Sequence, residues 1–192
     1  LLGGNELFAF SMVNKLCRET ILRLLKDSLM RKPSISHITS SVNLLKMAIE
    51  KGNKLVAKTI KNKLVIGKKI RTICKKYKVK FLVNDDPMIA KKLNADGCHL
   101  GQSDMSIVKA RKLLKNKIIG VTCHNSIKLA KKGISDGADY LAFGAFYSTQ
   151  TKKVKYKANL RILKSIKKIT TLPVVAIGGI KLNNYKKLLL NK

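Results

Sequence analysis

Acidic side chains are scarce in this chain: 10 Asp and Glu stand against 41 Lys and Arg in 192 residues, a net charge of +31. An excess of that size raises nucleic acid, a membrane surface or a polyanionic substrate as partners. Its distribution argues against a patch, since residues 1–60 contribute +6 and residues 61–192 contribute +25. Lysines recur in pairs, at Lys68-Lys69, Lys75-Lys76, Lys91-Lys92, Lys131-Lys132 and Lys167-Lys168, each on the solvent phase of a helix-like segment. A solvated face accounts for them, and no nucleic-acid partner is expected.

Long apolar runs are also missing. No stretch approaches the roughly 20 residues of a membrane span, and Leu1 to Val13 lacks the basic start and cleavage site of a signal peptide. Paired cysteine spacing is absent as well. Cys17, Cys74, Cys98 and Cys123 occur singly, which disfavours zinc ribbons and redox motifs and suits reduced core thiols. A cytoplasmic address without membrane contact follows as the expectation.

From Leu64 onward, short Val- and Ile-rich runs alternate with segments of helical periodicity, the mark of repeated βα units. Strands are expected at Val79–Val83, Cys98–Leu100, Ile118–Thr122, Tyr140–Phe146 and Pro173–Ile177. Helices are expected at Leu64–Tyr77, Pro87–Asn94, Met105–Leu114, Ser126–Ser135, Ala158–Ile169 and Asn183–Leu190. Asn94-Ala95-Asp96-Gly97 and Ser135-Asp136-Gly137-Ala138-Asp139 form a weak repeat, with Gly97 and Gly137 expected as left-handed helix ends. Residues 1–60 lack this rhythm: helices are expected at Glu19–Met30 and Val42–Ile49, a polar turn at Lys32–Ser41, and no strand. The five units suit an open sheet or a closed barrel. A barrel is favoured because the unusual residues gather after strands, where barrel enzymes keep their sites.

Only six acidic residues follow position 60, and half of them sit in two loops, as Asp85-Asp86 and Asp104. Each loop could be a helix cap. Carboxylates just beyond neighbouring parallel strands also make a hard-cation site, and magnesium takes one or two carboxylates together with phosphate oxygens. Tyr147 to Lys153 offers hydroxyls, backbone amides and an ammonium to an anion, though polar loops are common. Gly178-Gly179 closes the last strand, where paired glycines admit a phosphate or simply a turn. Thr122 and His124 end the middle strand. Neither His124 nor His99 is expected to be catalytic, and His99 points to the interior.

In order and spacing these loops resemble thiamine-phosphate synthases over residues 62–192. The resemblance is carried by Asn84-Asp85, His99-Leu100-Gly101-Gln102 with Asp104, Gly120-Val121-Thr122 with His124, Asp136-Gly137-Ala138-Asp139-Tyr140, Thr149-Gln150-Thr151-Lys152-Lys153 and Ile177-Gly178-Gly179-Ile180. It implies an α/β fold of the TIM-type (β/α)8 class in a single domain, here an incomplete barrel with residues 1–60 divergent and the eighth strand missing. It also implies a transferase that couples hydroxymethylpyrimidine diphosphate to thiazole phosphate and releases diphosphate.

By the same resemblance, Asp85 and Asp104 would hold Mg2+. Asn84, Thr122 and Lys152 would contact the pyrimidine diphosphate, and Thr149, Thr151 and Gly179 the thiazole phosphate. Thr122 and Lys152 would be the catalytic pair, in a dissociative route with no covalent enzyme intermediate. The family commonly has Ser at the Thr122 position, so the hydroxyl is kept. The family's Gln-x-Arg-x-Lys motif has no counterpart, since Lys58 to Lys63 supply neither Gln nor Arg. The expected partners are the two small-molecule substrates, and a homo-oligomer is compatible with them. The alternatives are a thiazole tautomerase of similar fold, which has no diphosphate to hold, and a non-catalytic remnant or basic nucleic-acid-binding protein.

Overall fold

The computed structural model describes residues 8–11, 60–76, 80–148, 156–180 and 183–189. Their elements, in chain order, are β1 (Phe8–Ser11), α1 (Ile60–Lys76), β2 (Lys80–Asn84), α2 (Pro87–Lys92), β3 (Gly97–Leu100), α3 (Ile107–Leu114), β4 (Ile118–His124), α4 (Ile127–Ser135), β5 (Tyr140–Phe143), α5 (Arg161–Lys167), β6 (Val174–Ala176) and α6 (Lys186–Leu189). The chain divides into two compact units between Cys98 and His99, inside β3. The helices expected at Glu19–Met30 and Val42–Ile49, and the turn between them, lie outside the described residues.

In the first unit β1 pairs in parallel with β2, Phe8 opposite Lys80 and Ser11 opposite Val83. This corrects the expectation that residues 1–60 hold no strand. Phe81, Leu82 and Val83 of β2 are each at most 1% exposed, the continuous apolar run of a strand covered on both faces. Helix α1 lays Gly67, Ile70 and Cys74 inward at helical spacing. Gly67 lies so close to Leu93 that a Cβ there would collide with its side chain. Asp86 opens α2, its carboxylate accepting from Ile89 N–H at 3.0 Å, with Pro87 at the first helical position.

In the second unit β4, β5 and β6 are successive parallel neighbours, with Gly120 opposite Tyr140 and Leu141 opposite Val174. Short strands joined by helices in this order make an α/β fold. Ile119, Cys123, Leu141 and Phe143 are fully buried, and Gly133 of α4 sits against Val121 and Leu141. Ser106 and Ser126 cap α3 and α4 by accepting from Lys109 and Leu129 N–H. Strand β5 stops at Phe143 rather than Phe146: Gly144 lies against the Ile177 backbone, and Ala145 turns away to pair with Tyr156 and Ala158.

The weak repeat has a structural meaning that differs from the glycine reading. Asp96 N–H donates to Phe81 O while its carboxylate accepts from Phe81 N–H, at 2.9 and 2.8 Å. Asp139 does the same to Ile119, at 2.7 and 2.6 Å. Each aspartate thus clamps the start of the preceding strand in its own unit. Gly137 is left-handed at φ 91°, but Gly97 is the first residue of β3 and Asn94, at φ 47°, takes the left-handed place in that turn. Asp96→Ala and Asp139→Ala are each expected to cost about 1.5 to 3 kcal/mol in urea denaturation, the scale of a lost hydrogen bond to a charged group. Unchanged midpoints would dismiss the clamp.

All ten paired lysines are exposed, as a solvated face requires. Cys74, Cys98 and Cys123 are buried; burial pushes the Cys74 thiol up to about 11, with Asp96 adding to it, and Cys123 up to about 12. Cys17 lies outside the described residues. Among the described residues no helix is long and apolar enough to cross a membrane.

Candidate functional site

The two acidic loops separate into capping and non-capping residues. Asp86 alone caps α2, while Asn84 is the buried last residue of β2 and Asp85 takes a left-handed backbone at φ 67°. A non-glycine residue held there is uncommon, and such positions concentrate at functional sites. Asp104 is no cap either. Helix α3 begins at Ile107 under Ser106, and the Asp104 carboxylate accepts from Gly101 N–H at 2.6 Å, closing the turn after β3. Of the other acidic residues described, Asp96 and Asp139 hold strands and Asp136 pairs with Lys132 at 2.6 Å.

The second unit brings several expected residues to the C-terminal ends of its strands. Thr122, near the end of β4, accepts or donates at 2.7 Å to His99 Nε2 on β3. The Gln102 side chain donates to the Thr122 carbonyl, tying the turn after β3 to β4. A register shift between Thr122 and His124, with His124 at φ 52°, bends the strand end where Gly144 N–H meets the His124 carbonyl.

The paired glycines join the same rim. Gly178 and Gly179 have φ 90° and 64°, and a Cβ on Gly179 would collide with the Tyr147 and Ser148 carbonyls. Tyr147 N–H donates to Gly178 O at 3.1 Å, so the start of the Tyr147 to Lys153 loop lies directly on this turn. Thr149, Thr151 and Lys152 themselves lie outside the described residues. A cavity of about 540 Å3 opens on this rim, lined by Gln102, His124, Asn125, Ser126, Leu129, Tyr156 and Lys157. Tyr156 and His124 touch one another in its wall, ring centres 4.3 Å apart.

His99 is buried, as expected from its strand position, but it is not isolated. Its Nδ1 lies 2.8 Å from Tyr140 Oη and its ring stacks on Tyr140 at 5.5 Å. Space for that ring is made by Gly120, where any Cβ would overlap the phenol. Sequence reading missed Tyr140 and Gln102 as part of this group. A glycine opposite a tyrosine on adjacent strands is the signal that points to it, once the register is known.

Burial pushes the His99 imidazole down to about 4 from its ordinary 6.5, with the Asp104 carboxylate pulling weakly upward. The imidazole is therefore neutral in the fold near pH 7. The unfolded chain binds the proton more readily, so the stability contributed by the neutral ring is complete above about pH 6.5 and drains away down to about pH 4. Chemical denaturation is expected to show a loss on the order of 3 kcal/mol across that window that His99→Gln removes. An equal slope in both proteins would refute the assignment.

Comparison with known proteins places the chain in a family. The family model described as thiamine monophosphate synthase matches residues 33–192, beginning upstream of the residue-62 start read from the motifs. The thiamine-phosphate synthase of Pelagibacter ubique is 77% identical over 139 residues, covering 72% of this chain and 67% of that protein. The thiamine-phosphate synthase of Marinobacter nauticus is 44% identical over 132 residues, covering 68% of this chain and 59% of that one. Among solved structures, thiamine phosphate pyrophosphorylase from Pyrococcus furiosus superposes with a TM-score of 0.59 at 34% identity, over 67% of this chain and 61% of that one. The matched part thus spans about three fifths to two thirds of these relatives' lengths. With a family match over residues 33–192, most of its length, this chain belongs to the thiamine monophosphate synthase family.

Proposed function

We propose that this chain is a thiamine-phosphate synthase, joining hydroxymethylpyrimidine diphosphate to thiazole phosphate with release of diphosphate. The observation that carries the reading is the strand-end rim of the second unit, where Thr122 lies near the end of β4, Asp104 in the turn after β3 and Gly178-Gly179 in the turn after β6. The proposed frame is a single (β/α)8 barrel domain in the cytoplasm, to which the described strands contribute part. The proposed partners are the two small-molecule substrates.

Asp85 and Asp104 are the proposed Mg2+ ligands. The fit rests on donor chemistry: both are hard oxygen donors at strand ends, and neither is occupied in capping a helix. Magnesium bound there would supply positive charge to the diphosphate. The chain's own residues do the rest. Asn84 and the Thr122 hydroxyl would hold the pyrimidine diphosphate, and Lys152 would offer its ammonium to the leaving oxygens. Thr149, Thr151 and the Gly179 amide would hold the thiazole phosphate, where a left-handed glycine leaves room for close approach. Positioning and charge stabilisation account for the proposed catalysis, since no nucleophilic side chain is required.

The purified protein, supplied with both substrates and magnesium, is expected to form thiamine phosphate and diphosphate in equal amounts. Isomerisation of a thiazole phosphate alone, with no diphosphate released, would make it a tautomerase and refute the proposal.

A further inference from the structure

Two buried polar side chains of the second unit that the proposed chemistry does not use, Tyr140 and His99, form a continuous chain with the half-buried Thr122. Tyr140, 5% exposed, meets His99 Nδ1, and His99, 8% exposed, meets Thr122 Oγ1 through its other nitrogen. We infer that Tyr140 and His99 are positioning residues that fix Thr122 as a dedicated hydrogen-bond donor to an anionic oxygen of the substrate diphosphate. The inference deepens the synthase reading given above and rests on it.

The direction of the chain follows from elementary acidity. A neutral imidazole has one N–H and one lone pair, so one neighbour must donate to it and the other must accept. Tyrosine, with a pKa of about 10, is a far stronger acid than an aliphatic hydroxyl and is the better donor to a ring lone pair. Tyr140 O–H therefore donates to Nδ1, and His99 Nε2–H donates to Thr122 Oγ1. With its oxygen already accepting, the threonine hydroxyl has its own proton left to donate. An anion needs a donor, and a hydroxyl whose rotor is fixed in advance loses less entropy on binding it.

Two further contacts hold the chain in place. The Gln102 side chain on the Thr122 carbonyl anchors the backbone below the hydroxyl. Gly120 admits the Tyr140 ring, which packs flat on His99 with an interplanar angle of 23°. No proton leaves the group during this proposed role. The ring sets a hydrogen's direction and takes no part in bond making.

The test combines kinetics with nitrogen NMR of the imidazole in the full chain. Thr122→Ala is expected to lower kcat/KM for the pyrimidine diphosphate about ten- to a hundredfold, and Tyr140→Phe about threefold to tenfold, mainly through KM. In the Thr122→Ala background, Tyr140→Phe is expected to cost nothing further, because its effect passes through the missing hydroxyl. The NMR spectrum is expected to show His99 protonated at Nε2 alone, and Tyr140→Phe to mix the two tautomers. Multiplicative losses in the double variant, or an imidazole protonated at Nδ1, would overturn the inference. If Thr122→Ala leaves turnover intact, the placement of substrate at Thr122 is wrong and the inference falls with it. If instead Thr122→Ala is impaired while His99 carries its proton on Nδ1, the relay fails and the synthase reading stands.

Discussion

Asp104→Ala is expected to lower kcat/KM about a hundred- to a thousandfold at fixed magnesium, with Asp85→Ala similar. Each removes a proposed carboxylate ligand where diphosphate charge must be met, a contribution of several kcal/mol when a divalent ion is held in a transition state. Part of the Asp104→Ala loss should be restored by raising magnesium, because the remaining carboxylate would still attract the ion. The comparison that gives the result meaning is Asp86→Ala. Asp86 follows Asp85 directly but caps α2, so its loss should cost about 1 kcal/mol of stability and leave turnover near the starting value. Equal kinetic damage at Asp86 and Asp85 would show a loop that matters only as a fold element. Turnover within about threefold of the starting protein in both Asp85→Ala and Asp104→Ala would end the metal assignment.

Gly120→Ala is expected to be the most damaging single methyl in the second unit. Gly120 sits on β4 directly opposite Tyr140 on β5, and an added Cβ would lie within the phenol ring. Both residues are buried in a paired sheet, so neither backbone can retreat without breaking strand pairing. Overpacking of this kind costs about 3 kcal/mol. Displacing the ring also takes the phenol away from His99, so activity is expected to fall with stability. A double-mutant cycle separates the causes. In a Tyr140→Ala background, Gly120→Ala should cost under about 1 kcal/mol, because the ring it strikes is gone. Undiminished cost in that background would place the constraint on the glycine backbone instead.

Legibility in the sequence follows the range of the interaction. The strands after residue 60 are readable because each is a short apolar run closed by turn residues, and β2, β4 and β5 fall within a few residues of expectation. Strand β1 is not, since Phe8–Ser11 is four residues long and its partner lies about 70 positions away. Asp96 and Asp139 stood out as a repeat, yet their role as clamps depends on contacts with Phe81 and Ile119, two strands' worth of register that local pattern does not contain. An Asp just before a helical run reads as a cap, which holds for Asp86, whereas at Asp104 the cap is Ser106, two residues on.

The candidate site shows the same division. Loops carrying Asn84-Asp85, Asp104, Thr122 and Gly178-Gly179 were legible because polar chemistry directly after an apolar strand is conspicuous in sequence. The strand position of His99 is enough to predict its burial, but local sequence does not show its partners. Its connection to Thr122 and Tyr140 runs across three strands, so only the paired sheet brings the imidazole between them.

The central proposal is that Asp85 and Asp104 supply carboxylates to the magnesium of the diphosphate that Thr122 holds. Crystals grown with manganese in place of magnesium and with the pyrimidine diphosphate would test it through the anomalous signal of the ion. The account predicts an ion bound by carboxylate oxygens of both Asp85 and Asp104, with diphosphate oxygens completing its shell and Thr122 Oγ1 within hydrogen-bond distance of the same diphosphate. An ion bound elsewhere, or a diphosphate that touches neither Thr122 nor either carboxylate, would contradict it.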